Sequence, residues 1–202
     1  MPINILVLVS GNGTNLAALL DAVKPGGSIE NGKITAVLSD RDGTYALERA
    51  RAAGIPAFTE IPDRTIPRQE RRREHSDRIL HICREMKIDL IVYAGFLSIL
   101  AGSIIEEYAG RMINIHPALL PKFGGQGMYG VHVHRAVLAA GETESGCTVH
   151  LVDGGTDTGP ILLQHKVPVM PGDTPDSLAA RIHKEEHIAI VDAVKMMIEK
   201  QI

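Results

Sequence analysis

The 202-residue chain reads as an α/β protein with a Rossmann-like, mostly parallel central sheet flanked by helices. Three observations predict this. Short β-branched runs alternate with stretches whose apolar residues fall at spacings of three and four. The first strand ends in the loop Ser10-Gly11-Asn12-Gly13-Thr14-Asn15, which opens a helix. A later apolar strand stops at Pro117, which cannot donate to a sheet ladder and so leaves Asn114 and His116 near the strand's carboxyl end.

Strands are expected in order at Ile3 to Val9, Ile34 to Ser39, around Pro56 to Phe58, Leu90 to Tyr93, Met112 to Ile115, Thr148 to Val152 and Ile161 to Val167. Each is a short apolar or β-branched run. Helices fall between most of them: Asn15 to Val23, Tyr45 to Ala53, Arg68 to Met86, His132 to Ala140 and Asp176 to Glu199, all with helical apolar spacing. Ile61 to Pro67, punctuated by two prolines, reads as the turn before a helix. No repeat or linker interrupts this pattern, so residues 1–202 are expected to form one domain. A chain of this length buries roughly 70% of the surface its unfolded form exposes, enough for a core without staples.

Composition narrows the function. Net charge is −3 and aromatic residues make up 3%, which argues against nucleic acid by removing both general attraction and stacking platforms. Small-molecule partners are expected instead. Cys83 and Cys147 form no CxxC pair and read as buried small hydrophobes in a reducing cytoplasm. Residues 1–9 lack a basic leader and no apolar run approaches membrane-spanning length, so no membrane association is expected.

Asn114 and His116, two apart on a strand, project to one face while Ile113 and Ile115 face the other. The carboxyl rim of an open α/β sheet is where ligands bind. The segment Asp153-Gly154-Gly155-Thr156-Asp157-Thr158-Gly159-Pro160 could bring the Asp157 carboxylate beside the His116 ring. An amide, an imidazole and a carboxylate suit acyl chemistry on an amine. The loop Gly11 to Asn15 suits a terminal phosphate, because backbone N–H groups and the helix dipole favour an anion there. A dinucleotide is disfavoured since Leu16 replaces the third glycine of the fingerprint. A tight structural turn without ligand stays open.

Three further motifs read blandly. Arg68 to Glu74 is expected to be a solvated, ion-paired helix face, from which one arginine could meet an acidic ligand tail. His132 and His134 are expected to be surface or hydrogen-bonded groups. His183-Lys184-Glu185-Glu186-His187 matches a zinc pattern that arises easily among nine histidines, and no metal is expected.

The segments Ser10 to Leu16, Ala94-Gly95-Phe96-Leu97, Asn114-Ile115-His116-Pro117-Ala118-Leu119-Leu120-Pro121 and Asp157-Thr158-Gly159-Pro160 together resemble the folate-dependent formyltransferase family, and within it the phosphoribosylglycinamide formyltransferases (glycinamide ribonucleotide transformylases). The resemblance covers nearly the whole chain. It implies a formyltransferase fold in which residues up to about 100 bind phosphate and nucleotide, and the remainder carries catalysis and folate. The implied reaction moves the formyl group of 10-formyltetrahydrofolate to the amine of glycinamide ribonucleotide, in purine biosynthesis. Asn114, His116 and Asp157 would be catalytic. Gly11, Asn12, Gly13, Thr14, Asn15, His183 and Glu186 would hold the glycinamide ribonucleotide. Leu97, Ile99, Leu100, Asn114 and Val152, Asp153, Gly154, Gly155, Thr156 and Asp157 would hold folate, with Arg68, or failing it Arg73, at the glutamate tail. A monomer or homodimer is expected.

Three features depart from the family's pattern. The connection Phe123 to Gly130 is longer than usual, and residues 124–130 read as a mobile flap. Ser98 stands where an arginine is often found, and His183 where a glutamine is often found. The competing readings are a 10-formyltetrahydrofolate hydrolase using the same three residues, and a non-catalytic nucleotide-binding module.

Overall fold

The computed structural model describes residues Met1 to Lys200. Its sheet contains β1 (Ile3–Val9), β2 (Gly32–Ser39), β3 (Ala57–Thr59), β4 (Leu90–Tyr93), β5 (Met112–His116), β6 (Glu144–Leu151) and β7 (Ile161–Pro168), in the order β3-β2-β1-β4-β5-β6-β7. The first five strands are mutually parallel, while β6 is antiparallel to β5 and β7 is antiparallel to β6. Parallel strands are covered on both faces, which is why Ile5 to Val9 of β1 and Leu90 to Val92 of β4 are buried runs of Ile, Leu and Val.

Side-chain alternation sorts these strands between two cores. Val7, Val9, Val92, Ile113 and Ile115 pack with α1 (Thr14–Ala22), α2 (Tyr45–Ala52), α5 (Val131–Ala139) and α6 (Pro175–Glu199). Leu6, Leu8, Ile91 and Met112 face α3 (Arg68–Glu85) and α4 (Ser103–Glu107). The expected strands and long helices therefore form within a few residues of their predicted bounds. The five-residue α4 was not expected, being too short to show a period.

β6 begins four residues before its predicted start, because Gly146 interrupts the apolar run. The glycine is required by packing: a Cβ there would lie 1.9 Å from the His165 carbonyl of β7. Cys83 and Cys147 are both buried and free, and burial pushes each thiol up to about 12. No helix among the described residues is long and apolar enough to cross a membrane.

The direction change at β6 decides where the site's last loop comes from. Leu151 pairs with Ile113, so the chain leaves β6 beside the amino-terminal end of β5 and folds back over the sheet before β7. That fold-back is pinned where the Leu151 N–H donates to Pro160 O at 2.8 Å. Gly159 lies against the same residue, and a Cβ on it would sit 1.9 Å from Leu151 O. Gly159→Ala is therefore expected to destabilise the protein by about 1–3 kcal/mol, the usual cost of overpacking. Urea unfolding that matches wild type would contradict this.

Candidate active site

A cleft of about 910 Å³ opens across the carboxyl ends of β1, β4 and β5, where the strand order reverses. Its volume lies at the upper end for small-molecule sites. The loop after β1 borders it through Ser10 to Asn15. Gly13 occupies the N-cap of α1 at φ 68°, and no side chain caps that helix. The first-turn N–H groups therefore have no intrahelical acceptor and face an anion-favouring dipole. Gly13 is also squeezed against α2, since a Cβ would come within 2.7 Å of Ala46 Cβ. Across this loop lies Glu186 of α6, 6% exposed, whose Oε2 accepts from Asn15 Nδ2 at 3.5 Å and lies 3.8 Å from His183 Nε2. Burial raises its carboxyl, opposed by His183 and Asn15. Asn15 Oδ1 is buried without a partner among the described residues.

The centre of the cleft is built on β5. His116 Nε2 lies 2.8 Å from Phe123 O, and a carbonyl only accepts, so Nε2 carries the hydrogen. Nδ1 then faces Asp157 Oδ2 at 3.5 Å. Sequence reasoning missed a second histidine, His150 of β6. Its Nδ1 donates to Leu151 O at 2.8 Å, so the uncharged ring presents a lone pair at Nε2, and that lone pair takes a hydrogen from Asn114 Nδ2 at 3.1 Å. The second Asn114 hydrogen goes to Asp157 Oδ1 at 3.4 Å, and Gly125 N–H donates to Oδ2 at 3.0 Å.

Burial alone would raise Asp157, but the hydrogen bonds made to it, that from Gly125 N–H among them, keep the carboxylate below its usual range. For His116 the balance goes the other way from what a neighbouring carboxylate alone would produce. Burial outweighs the carboxylate and lowers the histidine below 6.5. The resting ring is neutral, with its free lone pair at Nδ1. Both residues that flank it are held in the left-handed region, Phe123 at φ 56° and Asp157 at φ 57°. Non-glycine residues are strained there, as is common where side chains must be aimed.

Thr148, fully buried on β6, fixes the turn after His116. Its hydroxyl donates to Ala118 O at 2.6 Å and accepts from Leu120 N at 3.0 Å and Gln164 Nε2 at 2.9 Å.

Of the residues expected to meet folate, Arg68, Leu97, Ile99, Leu100, Asn114, Val152, Asp153, Gly155, Thr156 and Asp157 border the cleft, and Gly154 does not. Arg73 is not on the wall either. Ser98 turns to Asp40, donating to its Oδ2 at 2.7 Å, and Arg41 joins the lining instead. Gly125 to Gly130 also border the cleft, and the bond from Gly125 to Asp157 docks the segment on the site. His132 is exposed, with its ring edge-on to Tyr129 at 5.2 Å. His134 corrects the surface or hydrogen-bonded expectation. It is 2% exposed, lines the cleft, and its Nδ1 has no partner among the described residues.

A formyl transferase family model matches residues 3–194. The chain belongs to the formyl transferase family. This formyl transferase is 42% identical to phosphoribosylglycinamide formyltransferase of Escherichia coli K12 over 91% of its own length and 82% of the other chain. It is also 42% identical to the trifunctional purine biosynthetic protein adenosine-3 of Drosophila melanogaster, covering 96% of the present chain but spanning only 14% of that longer protein. The crystal structure of glycinamide ribonucleotide transformylase 1 from Symbiobacterium toebii superposes with a TM-score of 0.89 at 38% identity, covering 99% and 89% of the two chains.

Burial biases four histidines of the protein toward the uncharged form. Burial is the leading cause of the lowered values of His75, His116, His134 and His187, and His134 falls to about 4. Unfolding lets these rings take up protons near pH 6.5, so stability is lost as pH drops below that value, for His134 until about pH 4. Glu186 acts in the opposite sense, losing stability as pH rises from 4.5 through its raised value. Stability is expected to rise with pH from about 4 to 6.5, and His134→Gln to remove up to roughly 3 kcal/mol of that rise. Urea midpoints measured across this range check it; equal slopes in the two proteins would refute the assignment.

Proposed function

We propose that the protein transfers the formyl group of 10-formyltetrahydrofolate to the amine of glycinamide ribonucleotide, giving the formylated ribonucleotide and tetrahydrofolate in purine biosynthesis. The observation that carries this reading is the buried cluster Asn114, His116 and Asp157 between an uncapped helix start and an apolar, arginine-bordered wall. The acceptor's phosphate takes the N–H groups of Gly11 to Asn15, and its ribose hydroxyls donate to Glu186, with His183 beside them. The pterin lies against Leu97, Ile99, Leu100 and the Val152 to Asp157 backbone, with the glutamate tail toward Arg68. We read residues 1–202 as one formyltransferase domain, cytoplasmic in location, that needs no metal for this step.

The chemistry follows from the hydrogen positions. The amine nitrogen attacks the formyl carbon, and neutral His116 takes the amine proton at Nδ1, the atom that faces Asp157. The imidazolium so formed pairs with the Asp157 carboxylate and stabilises the oxyanion of the tetrahedral intermediate. Asn114 gives the oxyanion a hydrogen by releasing the longer of its two bonds, the 3.4 Å contact to Asp157. As the bond from carbon to the folate nitrogen breaks, His116 returns the proton to that nitrogen. No net proton is consumed.

A coupled assay with both substrates tests this. Asn114→Ala, His116→Ala and Asp157→Asn are each expected to lower kcat by about 100-fold or more while folding normally. A folded variant with wild-type turnover would remove its residue from the mechanism. Formate release at full rate without glycinamide ribonucleotide would favour the hydrolase. Glu186→Ala and Asn15→Ala are expected to raise KM for glycinamide ribonucleotide more than for the folate. Asn15 is a cleaner probe than Gly13, whose substitution would disturb α2. Equal losses for both substrates would break the assignment of this wall.

A further inference from the structure

The glycine loop after β1 is backed by α2, whose residues take no part in the proposed chemistry. Gly11 O accepts from the Ala46 N–H at 3.2 Å, and Asn12 O accepts from Arg49 Nε at 3.0 Å. Gly13 O takes the Ala17 N–H of α1 at 3.0 Å. Three successive carbonyls of the loop are thus engaged by the helices around it. Arg49 is itself held in place, with its Cζ 4.6 Å from the centre of the Tyr45 ring one turn earlier on α2. It makes no ion pair among the described residues, so its charge is left to the loop.

A carbonyl and the N–H of the next residue point opposite ways across a trans peptide. Holding Gly11 O and Asn12 O against α2 therefore turns the N–H groups of Asn12 and Gly13 to the other side, where both residues border the cleft. Neither N–H has a backbone acceptor among the described residues. The two anchors differ in kind. Ala46 donates through its backbone, which α2 supplies whatever the side chain, whereas the Asn12 carbonyl depends on one guanidinium. That guanidinium also draws electrons from the amide it binds and makes the Gly13 N–H a stronger donor. Its charge adds to the dipole that favours an anion at the start of α1.

We propose that Arg49 is a positioning residue for the acceptor's phosphate, aiming the Gly13 N–H at it by holding the Asn12 carbonyl from behind. The inference rests on the reading of the glycine loop as the phosphate site of glycinamide ribonucleotide. Arg49 acts through the loop and touches none of Asn114, His116 and Asp157, so its effect falls on phosphate binding and spares the formyl step.

The test compares glycinamide ribonucleotide with the ribonucleoside that lacks its phosphate, each as acceptor for wild type and for Arg49→Ala. With the ribonucleotide, the variant is expected to raise KM about tenfold, the equivalent of one charge-assisted hydrogen bond, while kcat and the folate KM stay within about twofold of wild type. With the ribonucleoside, kcat/KM should be the same in both proteins, because no phosphate is there to use the Gly13 N–H. If the alanine variant does not fold, Arg49→Met, which keeps an apolar stem over Tyr45 and loses the donor, serves in its place. An unchanged ribonucleotide KM, or equal losses with the two acceptors, would overturn the role of Arg49 alone. Wild type that uses the two acceptors equally well would instead overturn the phosphate reading of the loop, and this proposal with it.

Discussion

Asp157 carries a charge in a place that water scarcely reaches, and an isolated carboxylate there would cost several kcal/mol or simply protonate. It stays ionised because a strand amide and a loop N–H donate to it, with two imidazoles packed beside it. These neighbours come from three parts of the chain: Asn114 and His116 from β5, His150 from β6, Gly125 from the glycine-rich segment. Displacing any one leaves the carboxylate less compensated, so the positions of β5, β6 and two loops are tied to one another through a single charge. The left-handed backbones of Phe123 and Asp157 are local costs of that arrangement, and Thr148 keeps the turn between β5 and Phe123 from relaxing them.

The neutrality of His116 and the ionisation of Asp157 belong together. The tautomer fixed by Phe123 O leaves a lone pair pointing toward a negative oxygen, an arrangement that neither group favours. Proton transfer to Nδ1 replaces it with an ion pair. On the mechanism we propose, the charge created in the reaction improves the contact already present, which is preorganisation toward the transition state rather than toward bound substrate.

Much of this was legible in the sequence, and the reasons are local. Asn114 and His116 share a face because a strand repeats every two residues, and Pro117 marked the strand's end. The glycine loop announced itself because it joins a strand to a helix. His150 was not legible: it follows Thr148 and Val149 in what reads as ordinary strand, and only the antiparallel pairing of β6 with β5 sets it opposite Asn114. His134 looked like a surface group since its motif lies in an exposed turn, yet α5 rotates it inward against α6. Charge pairing in α3 failed for a related reason. Spacing gives the neighbours on one helix, but Arg78 found Glu60 on the segment before it, a partner no helical period reveals.

The contact between Asn15 and Glu186 joins residues 171 positions apart. Folding must close almost the entire chain before the wall that faces the glycine loop exists, and closures of that length come late because their entropy is lost before any contact compensates it. A chain whose sheet has formed but whose α6 has not docked holds the glycine loop and lacks the carboxylate across from it. Occupancy of that wall and the docking of α6 are then two readings of one equilibrium, so a ligand there stabilises the last long-range step of folding by mass action.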